Sequence, residues 1–124
     1  MTQEEKEILF KDLSARLPYH TRVKVWLKDG TTEEGTLDLE HNYGDVLRDA
    51  FYYNKIVKIK PYLFPMSSMT ETQKNEYQYI TERWMYDSSY SISDSIDWLN
   101  KNHFDYRGLI EKSLALDATG LNIY

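Results

Sequence analysis

The chain contains no cysteine, which excludes disulfide frameworks, thiolate zinc sites and thiol nucleophiles. Histidine is scarce as well. His20, His41 and His103 stand far apart with no H-x-x-x-H or similar spacing, which speaks against a histidine metal site. Long apolar runs are missing too. The longest nearly uncharged stretch, PYLFPMSSM, falls far short of the ~20 residues a membrane-spanning helix needs. The opening MTQEEKEILF has no basic segment leading into an apolar one, so it does not read as a secretory signal. By elimination the expected location is cytoplasmic, with no membrane partner. No G-x-S-x-G elbow, P-loop, G-x-G-x-x-G or H-E-x-x-H pattern occurs, and these carry recognisable chemistry. The expectation is therefore a protein that is not an enzyme, with no catalytic residue, cofactor or metal.

What is present fits one domain: 124 residues, long enough to bury a modest core. The net charge of −5 is unevenly spread. Residues 18–65 are neutral and carry seven of the basic residues, whereas residues 66–124 hold nine acidic against five basic ones. The whole molecule has no electrostatic reason to coat nucleic acid. A local basic face can form only in the middle segment.

Thr2 and Glu5 form a capping box, and Ile8, Leu9, Leu13 and Leu17 follow on one stripe until Pro18; residues 3–16 are predicted to be an amphipathic helix. Residues 21–28 alternate, with Val23, Val25 and Leu27 on one side and Arg22, Lys24, Trp26 and Lys28 on the other. Asp29-Gly30 predicts a tight type I′ hairpin turn. The return strand, 32–40, places Gly35, Leu37 and Leu39 inward. A polar loop, a short strand at Val46-Leu47 and a turn or bulge at 49–54 precede Ile56–Lys60, which Pro61 is expected to end or leave as an edge. Further on, Thr70 and Gln73 cap a helix over 71–85, and Ser93 caps one carrying Ile96, Leu99 and His103. Residues 104–116 are expected to hold a short helical turn in an irregular segment, with Trp98, Phe104 and Tyr106 anchoring the tail and Asp105 paired with Arg107. The fold class is thus α+β: a small antiparallel SH3-like or Sm-like barrel over 21–61, an N-terminal helix and a helical C-terminal region.

Two resemblances follow from these residues. Residues 23–50, VKVWLKDGTTEEGTLDLEHNYGDVLRDA, resemble the first motif of Sm-like proteins through Val25, Leu27, Asp29, Gly30, Gly35, Leu37, Val46, Leu47, Asp49 and Ala50. This resemblance implies a barrel and, more remotely, an RNA-binding ring. The loop that clasps a base in that family is here Glu40-His41-Asn42-Tyr43-Gly44, one residue short and with its pattern scrambled. The family's Arg-Gly strand is missing, and Arg107-Gly108 lies about 50 residues too late to supply it. The phrases ARLPY (15–19), KPYLFPMSSMT (60–70) and IDWLNKNHFDYRGLIEKSLALDA (96–118) resemble a family of small uncharacterised proteins of gut-bacterial genomes, phages and mobile elements. That resemblance implies a setting, one in which small proteins act as inhibitors, adaptors or sponges against host systems, and it transfers no site residue.

The candidate ligand-binding residues are Arg22, Lys24, Trp26 and Lys28 on one strand face, Lys58 and Lys60 on another, and Tyr43 in the loop. An indole on which a base stacks, with lysines tracking phosphates, is how nucleotides and single strands are held. A solvated strand face with Trp26 covered by a helix accounts for the same pattern. The acidic group Asp38, Glu40, His41, Asp45 and Asp49 lacks calcium-loop spacing, and ordinary turn polarity accounts for it. The eleven tyrosines, among them Tyr52, Tyr53, Tyr77, Tyr79, Tyr86 and Tyr90, suit an interface or a core margin equally. The expected partner is a host protein or a small anionic ligand such as a nucleotide, with RNA, a homo-oligomer or a place in a larger assembly as alternatives.

Overall fold

The computed structural model describes residues 1–37, 56–87, 89 and 91–124, and of Ile56 and Trp84 the backbone only. Helix α1 (Gln3–Arg16) has the expected bounds. Its capping box closes in both directions: the Glu5 N–H donates to Thr2 Oγ1 at 3.1 Å, and the Thr2 N–H donates to Glu5 Oε1 at 3.0 Å. Leu9 and Leu13 on its inner stripe are fully buried. Pro18 opens a 3₁₀ turn at Leu17–Tyr19, and His20 takes a left-handed φ of 54° that turns the chain into the sheet.

Strand β1 (Arg22–Leu27) pairs antiparallel with β2 (Thr32–Thr36), Trp26 opposite Thr32. The hairpin differs from the tight two-residue turn expected at Asp29-Gly30. The Leu27 N–H donates to Thr31 O at 2.9 Å, leaving a three-residue loop, Lys28 to Gly30. Gly30 supplies the positive φ of 88° that such a loop needs. Asp29 holds the loop by accepting from the Thr31 N–H and hydroxyl at 2.9 and 2.6 Å.

Strand β3 (Ile56–Pro65) pairs antiparallel with the other side of β1. It runs straight through Pro61, contrary to the expected stop. Leu27 and Leu37 donate across the β1–β2 ladder to Thr31 and Thr21, so odd residues of β1 bond β2 and even ones face β3. Pro61 lies opposite Val23, where no bond to β1 is required, and its missing N–H costs the ladder nothing. Beyond it, β5 (Leu116–Asp117) pairs parallel with Tyr62 and Leu63, and β4 (Phe104–Asp105) with Phe64 and Pro65.

Among the described residues this gives an open, mixed five-stranded sheet, β2-β1-β3-β4 with β5 on β3. The residues expected to continue it (Leu39, Val46, Leu47 and the turn at 49–54) lie outside the described ones.

A 3₁₀ turn at Met66–Ser68 leads to helix α2 (Glu71–Tyr86), whose capping box joins Thr70 and Gln73 as expected. Helix α3 (Ile92–Lys101) starts earlier than foreseen. Ser91, not Ser93, is its N-cap, and the Ser91 N–H donates to the Asp94 carboxylate at 2.6 Å. His103 falls past its end at φ 63°. Residues 104–116 show no helix; turns join β4 to β5.

The core has two parts. Leu9, Leu13, Val23, Val25, Leu37, Ile59, Leu63, Leu109 and Leu114 pack between α1, the inner face of the sheet and the closing turns. Leu99, Phe104 and Met69 form the second, with Trp98 stacked on Phe104 at 5.7 Å.

A buried ionic cluster ties the two halves. Asp12 and Arg16 are both fully buried. Arg16 Nε donates to Asp12 Oδ2 at 2.8 Å, Arg16 Nη2 donates to Phe104 O at 2.7 Å, and Arg107 Nη1 donates to Asp12 Oδ1 at 2.8 Å. Arg107 thus pairs with Asp12 rather than with Asp105, as the sequence had suggested. Asp105 instead accepts the Leu109 and Ile110 N–H groups at 2.8 and 2.9 Å, which folds the turn that Leu109 needs to reach the core.

Removing one member of a buried ion pair leaves the other uncompensated, at a cost of ~3–5 kcal/mol. Asp12→Ala is expected to lower unfolding stability by about that much in urea titration. Arg107→Ala, at a half-exposed position, should cost clearly less. Equal small losses for both would show that the cluster carries no structural weight.

A second prediction concerns acid. His103 stacks on Tyr124 at 3.7 Å and its Nδ1 lies 3.3 Å from Thr21 Oγ1. Burial, then the charges of Arg16 and His20, push its pKa down to about 4. The unfolded chain therefore binds this proton first, so stability is full above pH ~6.5 and falls as the pH drops toward ~4. Between pH 7 and 5 the loss should be on the order of 1–2 kcal/mol, read from urea midpoints. His103→Asn, which tolerates the positive φ, should flatten that slope; an unchanged slope refutes the assignment.

Candidate functional site

The outer face of β1 and β3 gathers four of the residues singled out from the sequence. Antiparallel pairing sets Lys24 opposite Lys60 and Trp26 opposite Lys58. Residues opposite each other across a ladder have side chains within contact range, and here the long lysines converge on the indole. Lys58 Nζ lies 4.3 Å from the Trp26 ring centroid, Lys24 Nζ 5.3 Å and Lys60 Nζ 5.9 Å. Trp26 is half-buried and Lys58 exposed; the ring is neither sealed under a described helix nor free of neighbours.

Three ammonium groups around one ring call for a counter-charge. Burial, then the neighbouring Lys58 charge, holds the Lys60 pKa below its ordinary value. Glu34 lies directly across from Lys24 on β2, yet its carboxylate is engaged elsewhere: Tyr62 donates its hydroxyl to Glu34 Oε1 at 2.6 Å. Burial first, then the bond to Glu34 and its charge, raise the Tyr62 pKa to about 12, so this donor stays protonated at neutral pH. Among the described residues no carboxylate comes within ion-pair distance of Lys24, Lys58 or Lys60.

The remaining sequence candidates stand apart. Arg22 is on the same strand, but its Nη1 donates to Thr36 Oγ1 at 3.0 Å. Lys28 is exposed in the hairpin loop beyond β1 and does not reach the cluster. Tyr43 lies outside the described residues, as do Asp38, Glu40, His41, Asp45 and Asp49. Two participants were missed. Tyr62 shares the period-2 face of Lys58 and Lys60, and it would have been found had the strand been carried past Pro61. Lys112, from the turn before β5, gave no signal in the sequence.

Lys112 belongs to a cleft of about 250 Å³ on the far side of β3. Leu9, Ile59 and Leu114 line it, together with Lys58, Lys60, Lys112, Ser113, Met1 and Glu5. The Glu5 carboxylate is turned to the Thr2 N–H in the capping box. Among the described residues no group of three or more His, Asp or Glu side chains could hold a metal ion. Nor is any described helix long and apolar enough to cross a membrane. No protein-family model, curated protein or solved structure matches the chain.

Proposed function

We propose that this chain is a non-enzymatic binding protein that holds a nucleotide, an anionic ligand with an aromatic base, on the outer face of β1 and β3. The observation that carries this reading is the convergence of Lys24, Lys58 and Lys60 on Trp26, with no carboxylate within ion-pair distance among the described residues. A cation over a half-buried indole gains ~0.5–2 kcal/mol. The same ammonium moved onto a phosphate makes a shorter, charge-assisted bond. Ligand entry therefore exchanges ammonium-on-ring contacts for base-on-ring stacking, with the displaced lysines closing on the phosphates. Closure of the sheet into the Sm-like barrel that residues 23–50 resemble belongs to this same proposal. So does a role as a nucleotide sponge or inhibitor acting on a host system, which sequestration without turnover would serve.

Calorimetry with ATP should give a 1:1 complex that weakens as salt is raised. Trp26→Ala should weaken it by about 5- to 150-fold, the loss of ~1–3 kcal/mol of stacking. Lys58→Glu should weaken it at least as much, because it converts an attraction into a repulsion. No binding by the intact protein, unchanged binding by Trp26→Ala, or hydrolysis of the nucleotide would each sink the proposal.

A further inference from the structure

We infer that the ligand of the Trp26 face is a single-stranded oligonucleotide, whose chain crosses β3 from the indole into the cleft that Lys112 borders. This rests on the nucleotide reading above and extends it. Lys58 and Lys60 belong to both features: their ammonium groups surround Trp26, and both residues line the cleft with Lys112. Two residues apart on one strand face, their Cα atoms are separated by ~6.6 Å. Positive charge therefore continues from Lys24 through Lys60 and Lys58 to Lys112, without a described carboxylate paired along it.

A mononucleotide has no use for that length. Its base occupies the ring and its phosphates meet the three nearest lysines, leaving Lys112 and the cleft unused. A linear polyanion uses all four cations. The cleft is floored by the buried Leu9, Ile59 and Leu114, and the exposed Met1 at its rim offers apolar surface against which a second base or a sugar can lie. The acidic side chain among its described lining residues, Glu5, accepts from the Thr2 N–H at 3.0 Å and also feels the Lys112 charge, which an incoming phosphate would share. The acidic residues of the C-terminal half confine binding to this face; the molecule as a whole, at −5, does not attract nucleic acid.

Fluorescence titration of the full chain with ATP, an oligothymidylate of about 12 nucleotides, inorganic polyphosphate and poly-glutamate tests this. The oligothymidylate should bind at least 10-fold more tightly than ATP. The slope of log affinity against log salt should be about −3, from four lysine contacts at roughly 0.7 each. Lys112→Gln should cut that slope by roughly one contact's share, while Lys74→Gln, on exposed helix α2, should leave it unchanged. Equal affinity for ATP and the oligomer, with no effect of Lys112→Gln, overturns the extended path and leaves the mononucleotide site standing. Failure of both ligands overturns the underlying site as well. Polyphosphate or poly-glutamate binding as tightly as the oligomer overturns the nucleic-acid assignment, because neither carries a base to stack.

Discussion

Asp12 and Arg16 sit one helical turn apart on α1, and both are fully buried. Burying a guanidinium is costly unless its donors and charge are met. Here Asp12 meets the charge and Phe104 O takes a second donor, while Nη1 has no hydrogen-bond partner among the described residues. Arg16 therefore fixes where β4 must lie. Arg107 completes the arrangement from the next turn, and Tyr106 stands between the two guanidinium groups, 5.3 and 4.6 Å from its ring centroid. The Tyr106 hydroxyl accepts from Arg107 and donates to Asn100 Oδ1 on α3. One ion cluster thus positions α1, α3, β4 and the turn after it.

That placement decides which side of the sheet stays open. With β4 held at the end of β3, the chain returns through Leu109 and Leu114 beneath the sheet and pairs β5 with β3. Together with α1 it covers the inner face of β1 and β3. The tail then locks the junction: the Tyr124 hydroxyl accepts from the Arg22 N–H at 2.8 Å and donates to Tyr62 O at 2.6 Å. It bridges β1 and β3 where the ladder opens, and burial keeps its phenol protonated well above the ordinary range. The opposite face of β1 and β3 carries the lysines, with Trp26 half-buried and Tyr62 buried beside them.

Helices α1 and α2 and strand β1 were legible because their signals are local. Capping boxes at Thr2 and Thr70 and the alternation over β1 each depend on neighbours a few residues away, and those bounds agree with the structure closely. The alternation also put Lys24 and Trp26 on one face and Lys58 and Lys60 on another; that the two faces adjoin needed the register of a ladder formed across a loop. The misreadings have a common cause. Pro61 reads as a strand stop only when its ladder position is unknown, and Arg107 reads as the partner of Asp105 only when Asp12, 95 residues earlier, is not known to be near. Residues 104–116 lack periodicity because their backbone is satisfied by side chains and by β3, which no local pattern reports. Lys112 was invisible for the same reason.

The Trp26 cluster is hard to account for as strand-edge protection alone. Lysines that guard a sheet sit on its edge strands; these lie on β1 and β3, which are interior in the strand order, and they converge on one ring. Two ammonium groups ~6 Å apart repel by about 0.7 kcal/mol in bulk water and about 3 kcal/mol at an effective dielectric of 20. Each contact with the half-buried indole returns ~0.5–2 kcal/mol, of the same order as the repulsion among the lysines. A carboxylate would relieve them, and the sheet has one in register at Glu34. Tyr62 turns one of its oxygens toward itself with a 2.6 Å bond. Among the described residues no carboxylate then lies within ion-pair distance of the three lysines. On the proposed reading, an incoming phosphate would convert each repulsion among the lysines into a shared attraction, and the ring they vacate would be the surface a base requires.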